Sequence, residues 1–221
     1  MQTFETTAPI TVVLAIPAGR VQLLAADRTD ATVEVRPSNP GKNRDVQAAE
    51  RITVGYADGL LQIRTPEPKH QVLGPSGSVD VTVQLPAGSR VEASTGGAEL
   101  RGVGRLGDVT FEGAYREIKL DETASLRLTA FDGDVAIGRL GGSAEINTAR
   151  GDIRIDEALH GTVVLTTQLG NISVTAAAGV SATLDAGTAH GRVSNALKND
   201  GTPVLDIRAT TSQGDITARS L

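Results

Sequence analysis

The 221-residue sequence contains no cysteine and no tryptophan, and aromatic residues make up only 2% of it. Without cysteine there are no disulfides, no thiolate nucleophile and no thiolate metal ligand, although the redox compartment stays open. Scarce aromatics require a core of Val, Ile, Leu and Ala, which suits thin regular layers better than a bulky centre. They also remove the platforms on which bases stack. Positive charge is in deficit, with 21 Lys and Arg against 26 Asp and Glu and a formal charge of −5. A phosphate backbone is bound mainly through clustered Lys and Arg, so no nucleic-acid partner is expected. No stretch approaches the ~20 apolar residues of a membrane helix, so no membrane insertion is expected. The opening MQTFETTAPI lacks the basic segment and apolar run of a secretory leader, and as written the chain reads as cytoplasmic, with export by another route left open. The hydrophobic fraction of 39% is that of a soluble chain with a packed core.

What the sequence does have is a period. Aligned on Gly-x-Φ-x-Φ, with Φ aliphatic, the segments GGAEL, REIKL, GDVAI, GDIRI, GNISV, GRVSN and GDITA begin at residues 96, 116, 133, 151, 170, 191 and 214. Each of the first six is followed by a second alternating run: DVTF, SLRL, SAEI, TVVL, SATL and VLDI. Every unit therefore offers two short strands with one apolar and one polar face. One unit cannot bury its apolar face, whereas stacking the units in parallel does. The fold expected is all-β: a parallel β-solenoid, or β-helix, right-handed, with two short strands per coil of about 17–23 residues. Ile118, Val135, Ile153, Ile172 and Val193 are expected to form one inward ladder, and Leu128, Ile146, Leu165, Leu184 and Ile207 a second. Ala130, Thr148, Thr167, Ala186 and Ala209 are expected at the tight corner before each Gly.

Residues 1–90 echo the same unit less regularly. GRVQL with ATVEVR, and GLLQI with SVDVTVQL, are two-strand pairs, and AIPAGRVQLLA (15–25) resembles QLPAGSRVEAS (84–94). The expectation is a single domain over 1–221, with an irregular N-terminal segment over residues 1–90 carrying polar loops at 37–50 and 65–77, and a regular repeat over 91–221. Long loops on a rigid scaffold often hold function, which makes Lys69 and His70 candidates for an interaction site.

The tripeptide Arg150-Gly151-Asp152 has the form of an adhesion-receptor ligand, but it occupies the same corner as Asp132-Gly133-Asp134, Leu169-Gly170-Asn171 and Gln213-Gly214-Asp215. Only the Gly recurs, as a corner needing close backbone approach requires, with Asp or Asn beside it for a local turn bond. Stacked corners would align Glu117, Asp134 and Asp152, continued by Asn171, as an oxygen ladder for calcium, the only cofactor the sequence suggests. The alternative is a solvated acidic edge, since charges ~5 Å apart in water repel by only about 1 kcal/mol. His70, His160 and His190 are scattered, and there is no zinc, nucleophile-elbow or phosphate-loop motif.

These elements together resemble the actinobacterial putative adhesin family of β-strand-repeat proteins, domain of unknown function 4097. The carriers are AGRVQL, VEVRPSNP followed by DVQAAE, GLLQIRTP, the junction SVDVTVQLPAGSRVEASTGGAEL, and the corners GDVAI, GDIRI, GNISV and GDITA. The resemblance implies a parallel β-solenoid with no assigned activity and no catalytic residues to transfer. Arg116 and Glu117 replace the usual Gly-Asp at one corner, which makes Tyr115 and Arg116 further interaction candidates.

The leading expectation is a non-catalytic, adhesin-like module that binds a protein or cell-envelope partner. A second is a structural scaffold that forms homo-oligomers through the C-terminal solenoid edge, because the chain stops at GDITARSL, almost within a strand. A third is an enzyme acting on a polymer through Asp121, Glu122, Asp156 and Glu157.

Overall fold

The computed structural model describes residues 1–66 and 77–221, with the side chains of Ala114 and Tyr115 outside the description. The described chain is all-β apart from one short helix. In its second half, alternation of aliphatic and polar residues produces β9 (Val135–Leu140), β10 (Ala144–Arg150), β11 (Ile153–Ala158), β12 (Gly161–Leu169), β13 (Ile172–Ala176), β14 (Ala182–His190), β15 (Val193–Ala196), β16 (Leu205–Gln213) and β17 (Ile216–Ser220). Before them runs β8 (Arg90–Asp132), a long extended segment that bends through several coils. Alternate strands fall into two parallel ladders. Residues 126–132 of β8, β10, β12, β16 and β14 form one, and residues 118–123 of β8, β9, β11, β13, β17 and β15 the other.

The inward ladder Ile118, Val135, Ile153 and Ile172 forms as expected, and each of these residues is fully buried. The corner glycines explain the spacing. Gly151 has φ +124° and Gly170 φ +153°, and a Cβ on them would come 2.2 Å and 2.1 Å from the carbonyl oxygens of Gly133 and Gly151. Three residues before Gly170 and Gly214, buried Thr167 and Thr211 donate their hydroxyls to the carbonyls of Gly151 and Gly170 (3.2 and 3.0 Å), which closes the corner.

The last two coils correct the expected order. β16 and β17 lie between β12/β13 and β14/β15, so the C-terminal strand is interior and the end of the stack is the β14/β15 coil. Apolar content accounts for the exchange. The inward positions of β16 and β17 carry Leu205, Ile207, Ala209, Ile216 and Ala218, all buried, where the matching positions of β14 and β15 carry Ala182, Leu184, Ala186, Val193 and Asn195, so the more apolar coil takes the inner slot and Val193 is left 46% exposed. Residues 197–204 carry the crossover. Ala182 N–H donates to Lys198 O (2.9 Å), Asp200 N–H to Ser181 Oγ (3.1 Å) and Val204 N–H to Ser181 O (3.0 Å). The second inward ladder also shifts by two residues here: Leu165 meets Ala209, and Ile207 lies between Val163 and Leu184. Thr188 and Thr211, rather than Ala186 and Ala209, therefore occupy the corner rung.

The first half is built from β1 (Gln2–Glu5), β2 (Thr11–Ile16), β3 (Gly19–Ala26), β4 (Asp30–Pro37), β5 (Thr53–Ala57), β6 (Leu60–Arg64) and β7 (Val79–Pro86). β2 lies parallel between β6 and residues 90–95, and β3 between β7 and residues 98–103. The echoing segments thus sit side by side with their strands exchanged between the two ladders. Among the described residues three pairings are antiparallel, β1–β4, β4–β7 and β5–β6, which corrects the expectation of parallel strands throughout. The reason for β5–β6 is local: Asp58 and Gly59 both have positive φ (51° and 76°), the geometry of a two-residue hairpin turn. Phe4 and Tyr56, 5.4 Å apart, pack against each other near this end.

The segment expected as a polar loop at 37–50 contains α1 (Asn43–Arg51). At nine residues it is too short to persist alone, and it rests on β4 and β7 through buried Ala48. Buried Asp45 accepts the Ser78 N–H at 3.0 Å. Residues 67–76 of the second loop, with Lys69 and His70, lie outside the described residues.

Candidate functional site

A groove of about 750 Å³ crosses the outer face of the first ladder in its N-terminal half. It arises because side chains alternate along strands in register: Val13 stands between Gln62 and Glu92, and Ala15 between Arg64 and Ser94. The next coil adds Thr110 and Glu112. Gly107 N–H donates to Ser89 O (2.8 Å) and Thr95 Oγ1 to Gly113 O (2.9 Å), which sets that coil against residues 89–95. The outward aliphatic side chains are Val13 and Ala15, set among Arg64, Glu92, Ser94, Thr110 and Glu112, whereas Leu14 and Ala93 on the same strands point into the core. Thr65 and Pro66 form one rim. Thr65 N–H is fixed to Ala15 O (3.0 Å), and its buried hydroxyl has no partner among the described residues. Glu92 is paired with Arg90 at 3.0 Å. Such a surface can hold an extended apolar segment with a few polar contacts at its margins.

The residues suggested by sequence lie elsewhere. Asp134 and Asp152 do stack, but each serves backbone: Asp134 Oδ1 accepts Asp152 N–H (2.8 Å), and Asp152 Oδ1 accepts Asn171 N–H (2.7 Å). Asn171 Oδ1 continues the series to Asp215 N–H (2.8 Å), and Asp215 Oδ1 to Arg192 N–H (2.9 Å). Among the described residues no three His, Asp or Glu are grouped so as to hold a metal ion. Arg150-Gly151-Asp152 is one such corner, with its carboxylate engaged in the series. Arg116 and Glu117 are exposed, and the Arg116 carbonyl lies directly beneath Gly133. The Tyr115 side chain is outside the description.

The four acids considered for polymer cleavage lie beside arginines. Asp121 pairs with Arg101 (3.0 Å), Asp156 with Arg154, and Glu157 with Arg139 (3.7 Å). Arg139 is in register with both Glu122 and Glu157, so a cation separates the two glutamates. Two carboxyls are held below the ordinary aspartate value. Asp30 owes this to its hydrogen bonds from Arg28, partly opposed by burial and aided by the Arg28 charge. Asp200 owes it first to the Ser181 hydroxyl and then to the Thr202 N–H and hydroxyl, with burial opposing. Neither lies in the groove.

Sequence reading missed the groove because its residues are ordinary outward positions. Val13 and Glu92 come together only through the 79-residue offset between β2 and β8. The signal available was the echo between residues 15–25 and 84–94, which points to neighbouring strands without giving their register.

A family model, Toastrack DUF4097, matches residues 11–219. The chain belongs to this family. The DUF4097 match spans both the irregular half and the regular repeat, and so includes the groove and the stacked corners. No curated protein matches the chain. Among solved structures it is similar to a "putative cell adhesion protein" from Clostridium sporogenes, with 10% identity and a TM-score of 0.41 over 100% of this chain and 98% of that one. It is likewise similar to a "putative adhesin" from Bacteroides fragilis, with 12% identity and a TM-score of 0.41 over 98% and 95% of the two chains. A "putative adhesin" from Parabacteroides distasonis has 11% identity and a TM-score of 0.30 over 98% and 95%. Among the described residues no helix is long and apolar enough to cross a membrane.

Proposed function

We propose that this DUF4097 chain is a non-catalytic, adhesin-like binding module that holds an extended segment of a protein or cell-envelope partner in the groove over β2 and β8. The groove itself carries the reading: a concave surface on a multi-strand scaffold, with Val13 and Ala15 outward at its centre and Glu92, Glu112 and Arg64 around them. The scaffold is taken as one right-handed solenoid domain over residues 1–221. Pairing of β3 with both β7 and β8 supports the continuity, and the general hand of parallel crossovers supports the direction of winding.

The test is site-specific photo-crosslinking from position 110 of the full chain to envelope and soluble fractions, compared with a Val13→Arg variant. A defined crosslinked species that disappears in the variant at unchanged melting temperature is expected. Equal crosslinking by both proteins would overturn the assignment of the groove.

A further inference from the structure

We propose that the open end of the stack, the edge formed by β14 and β15, is closed by the same edge of a second copy of this chain. Among the described residues β14 pairs only with β16, and β15 only with β17. In a parallel ladder, alternate residues bond to alternate neighbours. At successive corners Val135 N–H donates to Asp152 O, Ile153 N–H to Asn171 O, Ile172 N–H to Asp215 O and Ile216 N–H to Arg192 O, each at 2.8–2.9 Å. Val193 is the next rung and directs its N–H off the end of the stack. On β14 the same alternation directs Leu184, Ala186 and Thr188 outward, while Ala182 is already covered by Lys198 O. The edge is lightly guarded, with Asp185 the one acidic side chain on its two strands. Neither strand contains Pro or Lys, the residues that ordinarily block pairing, and Val193 is 46% exposed where its counterpart Ile216 is 1% exposed.

The occupant follows from the shape of the two ends. The opposite end finishes in short antiparallel strands, β1 and β5, with Phe4 packed on Tyr56 nearby and α1 resting on β4 and β7. Among the described residues it presents no matching parallel coil, so head-to-tail stacking has no complementary surface there. Nor is the open end prepared for one more coil of the same kind. Asp134, Asp152, Asn171 and Asp215 each accept an N–H from the coil above, but Arg192 stands at the last rung and has no oxygen to offer.

Like-to-like contact resolves both points. A two-fold axis normal to the sheets lays β14 antiparallel to β14 and β15 antiparallel to β15 of the second copy, with unpaired backbone groups meeting across the join. The same operation brings the corner at Arg192 towards the second copy's opposite corner, where Asp200 lies beside Ser181. Asp200 offers a charge opposite to that of Arg192, beside the like charge of Lys198, and the contact closes as a dimer instead of propagating.

The experiment is size-exclusion chromatography with light scattering on the full chain, from about 1 to about 500 µM. A dimer that dissociates on dilution is expected. Val193→Lys places a charge on the edge, and Ala186→Pro removes an outward N–H without breaking a bond to β16. Each is expected to raise the dissociation concentration at least tenfold while the dilute chain keeps its melting temperature, and Arg192→Glu is expected to weaken pairing most at low salt. A wild-type monomer throughout the range, a dimer that survives both edge substitutions, or open-ended oligomers would each overturn the proposal.

Discussion

The carboxylate of Asp134 accepts the backbone N–H of Asp152, one coil further along the stack, at 2.8 Å. Asp152 repeats the contact to Asn171, whose side chain has the same acceptor and no charge. The natural Asn at position 171 shows that the series depends on the oxygen and can dispense with ionisation. Asp152→Asn is therefore expected to change stability by less than about 0.5 kcal/mol, and Asp152→Ala to cost about 1 kcal/mol through the lost acceptor. Denaturant titrations with and without calcium check this. A calcium-dependent stabilisation removed by Asp152→Asn would instead make the acidic stack a cation site.

Corner glycines make a stronger demand. A Cβ at Gly151 would meet the Gly133 carbonyl oxygen at 2.2 Å, in a backbone conformation with φ +124°. Gly151→Ala is expected to destabilise by at least about 3 kcal/mol, since backbone strain and overlap act together. Gly55 in β5 has nothing within 4 Å of its Cβ position and no positive φ, so Gly55→Ala is expected to be neutral or slightly stabilising. Thermal denaturation of the two variants checks the contrast. Because Gly151 is the centre of Arg150-Gly151-Asp152, a destabilised variant also marks that tripeptide as a corner of the coil.

The repeat was legible because it is written in local spacing. From Ile118 to Ile172 each rung lies a fixed distance after its Gly or the residue in its place, and that stretch of the ladder follows directly. Three features are not local. The exchange of the last two coils depends on which apolar set is buried better, so Ile216 rather than Val193 follows Ile172. Helix α1 follows Pro, Gly and Asn residues that read as a loop, and it is held by one buried face at Asp45 and Ala48. The groove depends on a strand pairing 79 residues apart, which no window over the chain reveals.

The crossover that precedes the inner coil gives a dependence on pH. Asp200 is held below 3.8 by the Ser181 hydroxyl and by the Thr202 N–H and hydroxyl, so the folded crossover favours the ionised carboxylate. Its folded value is lower than its unfolded one. The stabilisation is fully present above the unfolded value and is lost as pH falls through the folded value, below pH 3.8. Asp200→Asn should therefore speed hydrogen exchange of the Thr202 and Val204 amides at neutral pH. The difference from the unsubstituted chain should shrink on acidification and vanish once the carboxyl is protonated. Exchange rates compared at matched intrinsic rate across this range test the point, and a gap between the two proteins that persists below the titration would show that the Asp200 charge does not hold the crossover.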